Sequence, residues 1–567
     1  MKDCNILIRD ALESWGITFY AGVTGGGLIH YLKNVDPFRA DGDGGGFFNL
    51  AEYCAGFAPI GYFLASGKIG AAVATTGAAT KLICCGLSDA KLHDIPAVYM
   101  VPISGSSSAG FAPLQDSSVF GSNVMAQLAA ELPDSFFILD SRATLAHRLS
   151  LAKKQLDNSK PVVLVLDNEG LALADAAAPP WCEDQPADVE EKDPIGDFIG
   201  LFRKEVKGKR LVVLVGEEVA RYGNGSSLTT QLSVQFQAAT IWSINGANGA
   251  ERNNPYGYGY ISFGGNDLAV EIFNSLSQGD VLLMLGACPD EYTANFSRIS
   301  ASAVFYASGI RNAYGTVQGS IGHFALGRYY QMHAQLDIFL EELIESSKAE
   351  KFENIASERA PSYLNVRPFN GASEGYADMA ALHLMLDQWW PADSTGIDDV
   401  CLAYKDRQYV VQRPNGNIKF YSLYRGSAMG GAFGAAVGAK LACPQKAVFL
   451  FTGDGCFRLF SGSMAEVSRL GLVVFLLNNG TLGIVEQGLL QILPDIDEPH
   501  YHSKLQPIDY CAVAEASGWE AFSLCPDFSN LDFLLDKINV GLSKSLMIEI
   551  PVDPRQILGS NPRLKNL

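Results

Sequence analysis

The residues best placed for chemistry are Gly453-Asp454-Gly455 and, further along, Asn478-Asn479. Asp454 offers a hard carboxylate and Asn479 a neutral carbonyl oxygen. With a backbone carbonyl and the oxygens of a diphosphate, they complete an octahedral Mg²⁺ shell. Gly453 and Gly455 let the backbone turn tightly against a ligand. A lone Gly-Asp-Gly after a strand is usually an ordinary turn. The second polar tip, on the next strand, singles this one out. The elements that hold both tips are legible: an apolar run at 447–452, a segment with helical spacing, and a second apolar run at 472–477. That order is a βαβ unit. Its tips lie at the carboxyl ends of the strands, where open parallel sheets bind ligands.

This stretch resembles the thiamine diphosphate motif of the superfamily that includes pyruvate decarboxylase, acetohydroxyacid synthase and benzoylformate decarboxylase. The resemblance covers nearly the whole chain. It implies Mg²⁺ held by Asp454, Asn479 and the Thr481 carbonyl. It also implies cofactor contacts around Gly453, Gly455 and Cys456, and from Leu482, Gly483 and Ile484. Cys456 would pack near the diphosphate and is not expected to be a nucleophile. Residues 52–77, EYCAGFAPIGYFLASGKIGAAVATTG, resemble a second family signature. It implies that Glu52 faces N1′ of the aminopyrimidine and that Thr76 lies at a cofactor-side strand tip. A carboxyl bonded to N1′ favours the imino tautomer, whose nitrogen takes the thiazolium C2 proton and leaves a carbon nucleophile. Residues 425–439, RGSAMGGAFGAAVGA, resemble the family's small-residue helix start. They imply Met429 as the apolar wedge beneath the cofactor, with Ser427 beside it. A lone Met is otherwise core filler.

The departures from the family are as informative. The 22–27 turn, GVTGGG, has Thr24 where most members carry Pro, and it does not match the GxGxxG dinucleotide spacing. His30 follows as a pocket residue or a helix-surface histidine. Ala78-Ala79 replaces the usual Pro-Gly. The 104–120 loop lacks the His-His pair of pyruvate decarboxylases. Leu114-Gln115-Asp116 resembles the Phe-Gln-Glu segment of acetohydroxyacid synthase and makes Gln115 a candidate substrate contact. Its amide orients oxygens but does not relay protons. Val485 stands where pyruvate decarboxylases place a Glu; Glu486 is one residue on, turned by about 100° on a helix, and with His30 it is the candidate proton donor should an aldehyde be released. Leu482 and Val485 would form an apolar wall. The 404–408 segment matches poorly, and Arg407 is expected to pair with Asp406 rather than with a phosphate. His500 and His502 are lid or surface residues.

The 567 residues suggest three or four domains. The division expected is 1–178 (aminopyrimidine-binding), 195–350 (central) and 376–567 (diphosphate-binding), with linkers at 175–194 and 351–375. Each is read as α/β with a mostly parallel sheet. A first strand of the last domain is expected at 398–403, a helix from Asn49, and a tyrosine-packed loop at 253–265. Formal net charge is −19, from 61 acidic and 42 basic residues, without the basic footprint of a nucleic-acid binder. No apolar run is long enough to span a bilayer. The first residues read as an amphipathic helix, and the eleven scattered cysteines form no CxxC pattern, so a cytoplasmic protein is expected. The middle domain has two strands ending in glycine. Some relatives keep a non-redox FAD between domains, but no FAD signature is found and FAD is not expected.

What the resemblance implies overall is decarboxylation of a pyruvate-like 2-oxo acid. The resulting enamine would then be ligated to a second carbonyl compound. The alternative is simple decarboxylation to an aldehyde, or a benzoylformate decarboxylase-like lyase. The missing His pair and the displaced Glu tilt the expectation to ligation. Sites shared across a homodimer are implied, with tetramers common among relatives. The rival classes are a regulatory protein on a decayed version of this fold and a dinucleotide oxidoreductase.

Overall fold

A computed structural model of the chain describes residues 3–39, 45–108, 111–172, 195–495 and 502–566. The expected linker at 175–194 lies outside these, as does His500.

Three six-stranded sheets follow one another along the chain. The first contains β1 (Phe19–Gly22), β2 (Gly46–Asn49), β3 (Ala71–Val73), β4 (Val98–Pro102), β5 (Phe136–Leu139) and β6 (Val162–Leu166). The second contains β7 (Arg210–Val215), β8 (Ala239–Trp242), β9 (Gly257–Tyr260), β10 (Asp280–Leu285), β11 (Ala303–Ser308) and β12 (Arg328–His333). The third contains β13 (Ser394–Asp398), β14 (Ile418–Ser422), β15 (Val448–Gly453), β16 (Val473–Asn478), β17 (Glu520–Ser523) and β18 (Leu546–Pro551). Every pairing between these strands is parallel. Parallel strands need crossovers, and helices on both faces bury them. The central strands are accordingly continuous buried runs, such as Val162–Leu166 and Val473–Asn478.

The first and third sheets share one order: β2-β1-β3-β4-β6-β5 and β14-β13-β15-β16-β18-β17. The second runs β12-β11-β10-β7-β8-β9, the order of the dinucleotide-binding fold. The outer two are locked together by a helix pair. Helix Glu52–Ser66 packs on helix Gly431–Ala442 at a backbone approach that only glycine permits. A Cβ on Gly61 would sit 1.7 Å from the Ala435 carbonyl oxygen, and one on Gly434 2.0 Å from that of Cys54. One apolar cluster therefore spans both sheets, from Phe57 and Tyr99 to Phe433 and Phe460.

Three expectations are corrected. The strand expected at 398–403 is β13, which ends at Asp398, and Ala403–Val411 is helical. The 253–265 stretch contains edge strand β9. Asn49 ends β2, and the helix begins at Glu52.

Candidate active site

The site is built on the carboxyl ends of β13, β15 and β16. Asp454 is buried and opens helix Asp454–Phe460 directly after β15. Its Oδ1 accepts the Gly455 amide at 3.0 Å and its Oδ2 the Gly480 amide at 2.8 Å. The carboxylate is thus bonded to the turn that follows β16. In that turn Asn479 Oδ1 accepts the Thr481 amide at 3.1 Å. Burial pushes the Asp454 carboxyl up from its ordinary value, opposed by the two backbone bonds. Asn478, the other half of the Asn pair, donates instead to Glu549 on β18 at 2.8 Å.

The turn is held from outside as well. The Leu482 amide donates to the Ser503 carbonyl and the Leu505 amide to that of Gly480. Thr481 is buried, and its hydroxyl donates to Glu486 Oε2 at 2.8 Å and lies 3.1 Å from the Ser503 carbonyl. Glu486, on helix Gly483–Ile492, is therefore turned to the loop that follows β16, while Val485 is exposed. Gly483 lies against Asn479; a Cβ there would be 3.1 Å from Asn479 Nδ2. Ile484 is half-buried on the same helix. Above Gly455 two apolar side chains converge: a Cβ on that glycine would meet Leu482 at 2.6 Å and Met429 at 3.3 Å. Gly453 is half-buried at the end of β15. The Cys456 thiol is buried beside the Val400 carbonyl, and burial raises it well above its ordinary value, so it is a thiol rather than a nucleophilic thiolate. Ser427 is exposed with φ +51°, and its hydroxyl donates to the Tyr424 carbonyl at 2.7 Å.

Asp399, missed at the sequence level, ties this face together. It follows β13, is buried, and accepts the Gly430 amide at 2.9 Å and the Thr452 hydroxyl at 2.8 Å. It fixes the turn after Met429 to the strand that carries Asp454. Burial raises its pKa to about 6. The signal was available: Asp398-Asp399 is a polar tip like Gly453-Asp454. Arg407 is a buried structural partner, but its carboxylate is Asp398 (2.5 and 2.6 Å, bidentate), not Asp406, which pairs with Lys405.

On the first sheet, Glu52 opens its helix half-buried, and its carboxylate has no hydrogen-bond partner among the described residues. Its neighbour Tyr53, also missed, donates to the Met429 carbonyl. Thr76 and Gln115 are brought together, the Thr76 hydroxyl lying 3.2 Å from Gln115 Oε1. Gln115 takes φ +59° and packs on Gly77, itself at φ +79°. His30 is exposed on helix Ile29–Leu32, and His502 is exposed as well. Among the described residues no three His, Cys, Asp or Glu side chains cluster as a metal site, and no helix is long and apolar enough to cross a membrane.

Residues 404–548 match the family model described as "Thiamine pyrophosphate enzyme, C-terminal TPP binding domain". The acetolactate synthase isozyme 2 large subunit of Escherichia coli is 25% identical over 489 residues, covering 84% of this chain and 83% of that protein. Residues 404–548 are thus a domain of the thiamine diphosphate-dependent enzymes, and the chain is similar over most of its length to their acetohydroxyacid synthases. The acetolactate synthase of Arthrospira platensis is 22% identical, covering 91% of this chain and 88% of that protein. The thiamine diphosphate-dependent 4-hydroxybenzoylformate decarboxylase of Rhodococcus jostii RHA1 superposes with a TM-score of 0.73 at 18% identity, over 97% of this chain and 99% of that one. The superfamily's architecture of successive α/β units is the fold described above.

Proposed function

We propose that this chain decarboxylates a 2-oxo acid using thiamine diphosphate and Mg²⁺. The observation that carries the reading is the bond from Gly480 to Asp454, which makes two strand tips one unit. Thiamine diphosphate, when bound, supplies the carbon nucleophile and the electron sink for loss of CO₂. Asp454, Asn479 Oδ1 and the Thr481 carbonyl hold the cation. The donors fit it: one carboxylate and two amide oxygens are hard ligands, and Mg²⁺ keeps its other positions for phosphate and water. Asn479 Oδ1 spends one lone pair on Thr481 and has another to give. Met429 and Leu482 form the apolar bed over Gly455. Glu52 holds a proton at the pyrimidine N1′, and Thr76 and Gln115 orient substrate oxygens. Glu486 acts through Thr481 as a positioning residue of the cation loop.

Glu52 acts on the cofactor held by a second copy. The first-sheet loop exposes Phe111, Leu114, Val119 and Phe120, and the helix after the Asn479 turn exposes Val485, Leu490 and Ile492. These apolar groups flank the two halves of the site and are covered when copies join. Units 1–178, 195–350 and 376–567 are the parts of that assembly.

Aldehyde release is the first reading of the product. A ligase taking a second 2-oxo acid needs a cation for the acceptor carboxylate, and residues 103–120 and 479–495 contain no Lys or Arg. Ligation is the second reading, favoured by Gln115 and by the acetolactate synthases among the relatives. Product analysis decides. Pyruvate and an aryl 2-oxo acid are supplied in turn with thiamine diphosphate and Mg²⁺, with and without an aldehyde acceptor. Free aldehyde as the main product under all conditions supports the first reading; a hydroxy ketone or acetohydroxy acid outpacing it establishes the second. No CO₂ from any 2-oxo acid overturns both.

A further inference from the structure

The second sheet has the strand order of a dinucleotide-binding fold, and its order reverses between β7 and β10. A ligand is expected in the crevice at the carboxyl ends there, with a phosphate against the glycine turn after β7. The glycines are present: Gly216 after β7, Gly286 after β10 and Gly309 after β11. Gly216 packs against the backbone of Gly286 and Ala287, and the other two face a side chain of this chain. Glu218 is buried; its Oε1 accepts the Gly309 amide at 2.6 Å and its Oε2 the Ser308 hydroxyl at 2.5 Å, with the Tyr222 hydroxyl at 3.5 Å. Gly286 takes φ +54°, and a Cβ there would meet the Glu218 Cβ at 2.4 Å. A Cβ on Gly309 would meet the Tyr222 hydroxyl at 2.7 Å and Glu218 Oε1 at 3.0 Å. The close approach that such glycines give a phosphate is used up by a carboxylate at Gly286 and Gly309 and by backbone at Gly216.

The rest of the crevice is closed from the third unit. Glu217 receives the Arg425 guanidinium and the Asn245 amide. Arg425 also donates to Asp290 at 2.6 Å and to the Leu92 carbonyl at 3.0 Å. The space left among Glu217, Glu218, Gly286, Cys288 and Tyr306 is about 10 Å³, room for one water at most. A roomier cavity of about 410 Å³ lies beside Arg221, Asn245 and Lys419, but none of the three glycine tips lines it.

We infer that the middle unit takes no dinucleotide: Glu218 stands in for the phosphate, and the ligand edge of this sheet serves as a clamp between units. FAD does not fit this chain. The test uses the full-length protein loaded with thiamine diphosphate and Mg²⁺. Purified protein is expected to show no flavin absorbance, and its Tm is expected to be unmoved by FAD, NAD, ADP or inorganic phosphate. Stoichiometric flavin, or stabilisation of the wild type by any of these ligands, overturns the inference. Glu218→Ala is expected to lower Tm, with inorganic phosphate restoring part of the loss by refilling the cradle. A folded variant that phosphate does not rescue overturns the stand-in role. If that variant does not fold, Glu218→Gln takes its place; it keeps the cradle filled but loses the charge and one of the two acceptors, so a lower Tm without phosphate rescue is expected, and an unchanged Tm overturns the stand-in role. The wild-type ligand measurements decide independently of either variant.

Discussion

Asp454 and Asp399 are both buried carboxylates at strand tips, yet they do different work. Asp454 accepts two backbone amides and, in the role proposed for it, gives its remaining lone pairs to a cation. Its replacement by Ala is expected to weaken Mg²⁺-dependent binding of thiamine diphosphate by more than about 100-fold, since one charged ligand of a cation is lost; titration calorimetry checks this. Glu52→Gln should leave that binding intact and slow exchange of the cofactor C2 proton by roughly 10²- to 10⁴-fold, the ordinary worth of a positioned proton carrier. Asp399 binds the Gly430 amide and the Thr452 hydroxyl and is read as a positioning residue with a pH signature. Its folded pKa, about 6, lies above its ordinary 3.8. The folded state therefore takes up a proton below about pH 6, and the resulting stabilisation is lost as pH rises from about 4 through 6. Activity should run the other way, because protonation turns one of the two carboxyl oxygens into a donor facing a group, Gly430 or Thr452, that already donates to it. Asp399→Asn is expected to flatten the pH dependence of Tm in that window and to lower kcat/KM roughly tenfold. A variant whose acid limb near pH 6 matches the wild type would remove Asp399 from this role.

At the scale of elements, the helix pair Glu52–Ser66 and Gly431–Ala442 rests on direct backbone contact. Gly61→Ala forces a methyl to within 1.7 Å of the Ala435 carbonyl and is expected to cost about 1–3 kcal/mol. Gly67→Ala, where φ is +72° but nothing lies within 4 Å, should cost only the strain of a left-handed residue, of order 1 kcal/mol. Urea titrations of both variants separate crowding from strain. These same elements explain what the sequence disclosed. Asp454 and Asn479 could be placed because each follows an unbroken apolar run, and such runs in a parallel sheet end at their functional tips. Asp399 was lost because Val400, Cys401, Leu402 and Ala403 look like a strand. In the structure Cys401 lies near Gly453 and Leu402 near Gly483, so these residues are apolar for reasons of tertiary contact, not strand burial. The edge strands β9 and β12 were missed or read as loop because they alternate partly exposed residues or are rich in glycine. The pairing of Gln115 with Thr76 and the turn of Glu486 toward Thr481 depend on loop geometry that no period encodes.

At the scale of the whole molecule, the location of Glu52 relative to Asp454 is testable without a further structure. If the two act across a pair of copies, inactive Glu52→Gln and Asp454→Ala chains should complement each other when mixed and refolded. Each mixed dimer then has one site with both residues intact, and about a quarter of the wild-type activity is expected. Sites confined to single chains would give none. The partners of the helix pair that locks the outer units are separated by about 365 residues of chain. During synthesis at about 5–20 residues per second, helix Glu52–Ser66 waits roughly 20–70 s for its mate to leave the ribosome. Throughout that interval its Phe57, Ala58 and Gly61 face is uncovered. The nascent first unit is therefore a natural client for a chaperone, and a chain stalled before residue 431 should be far stickier than its own composition suggests.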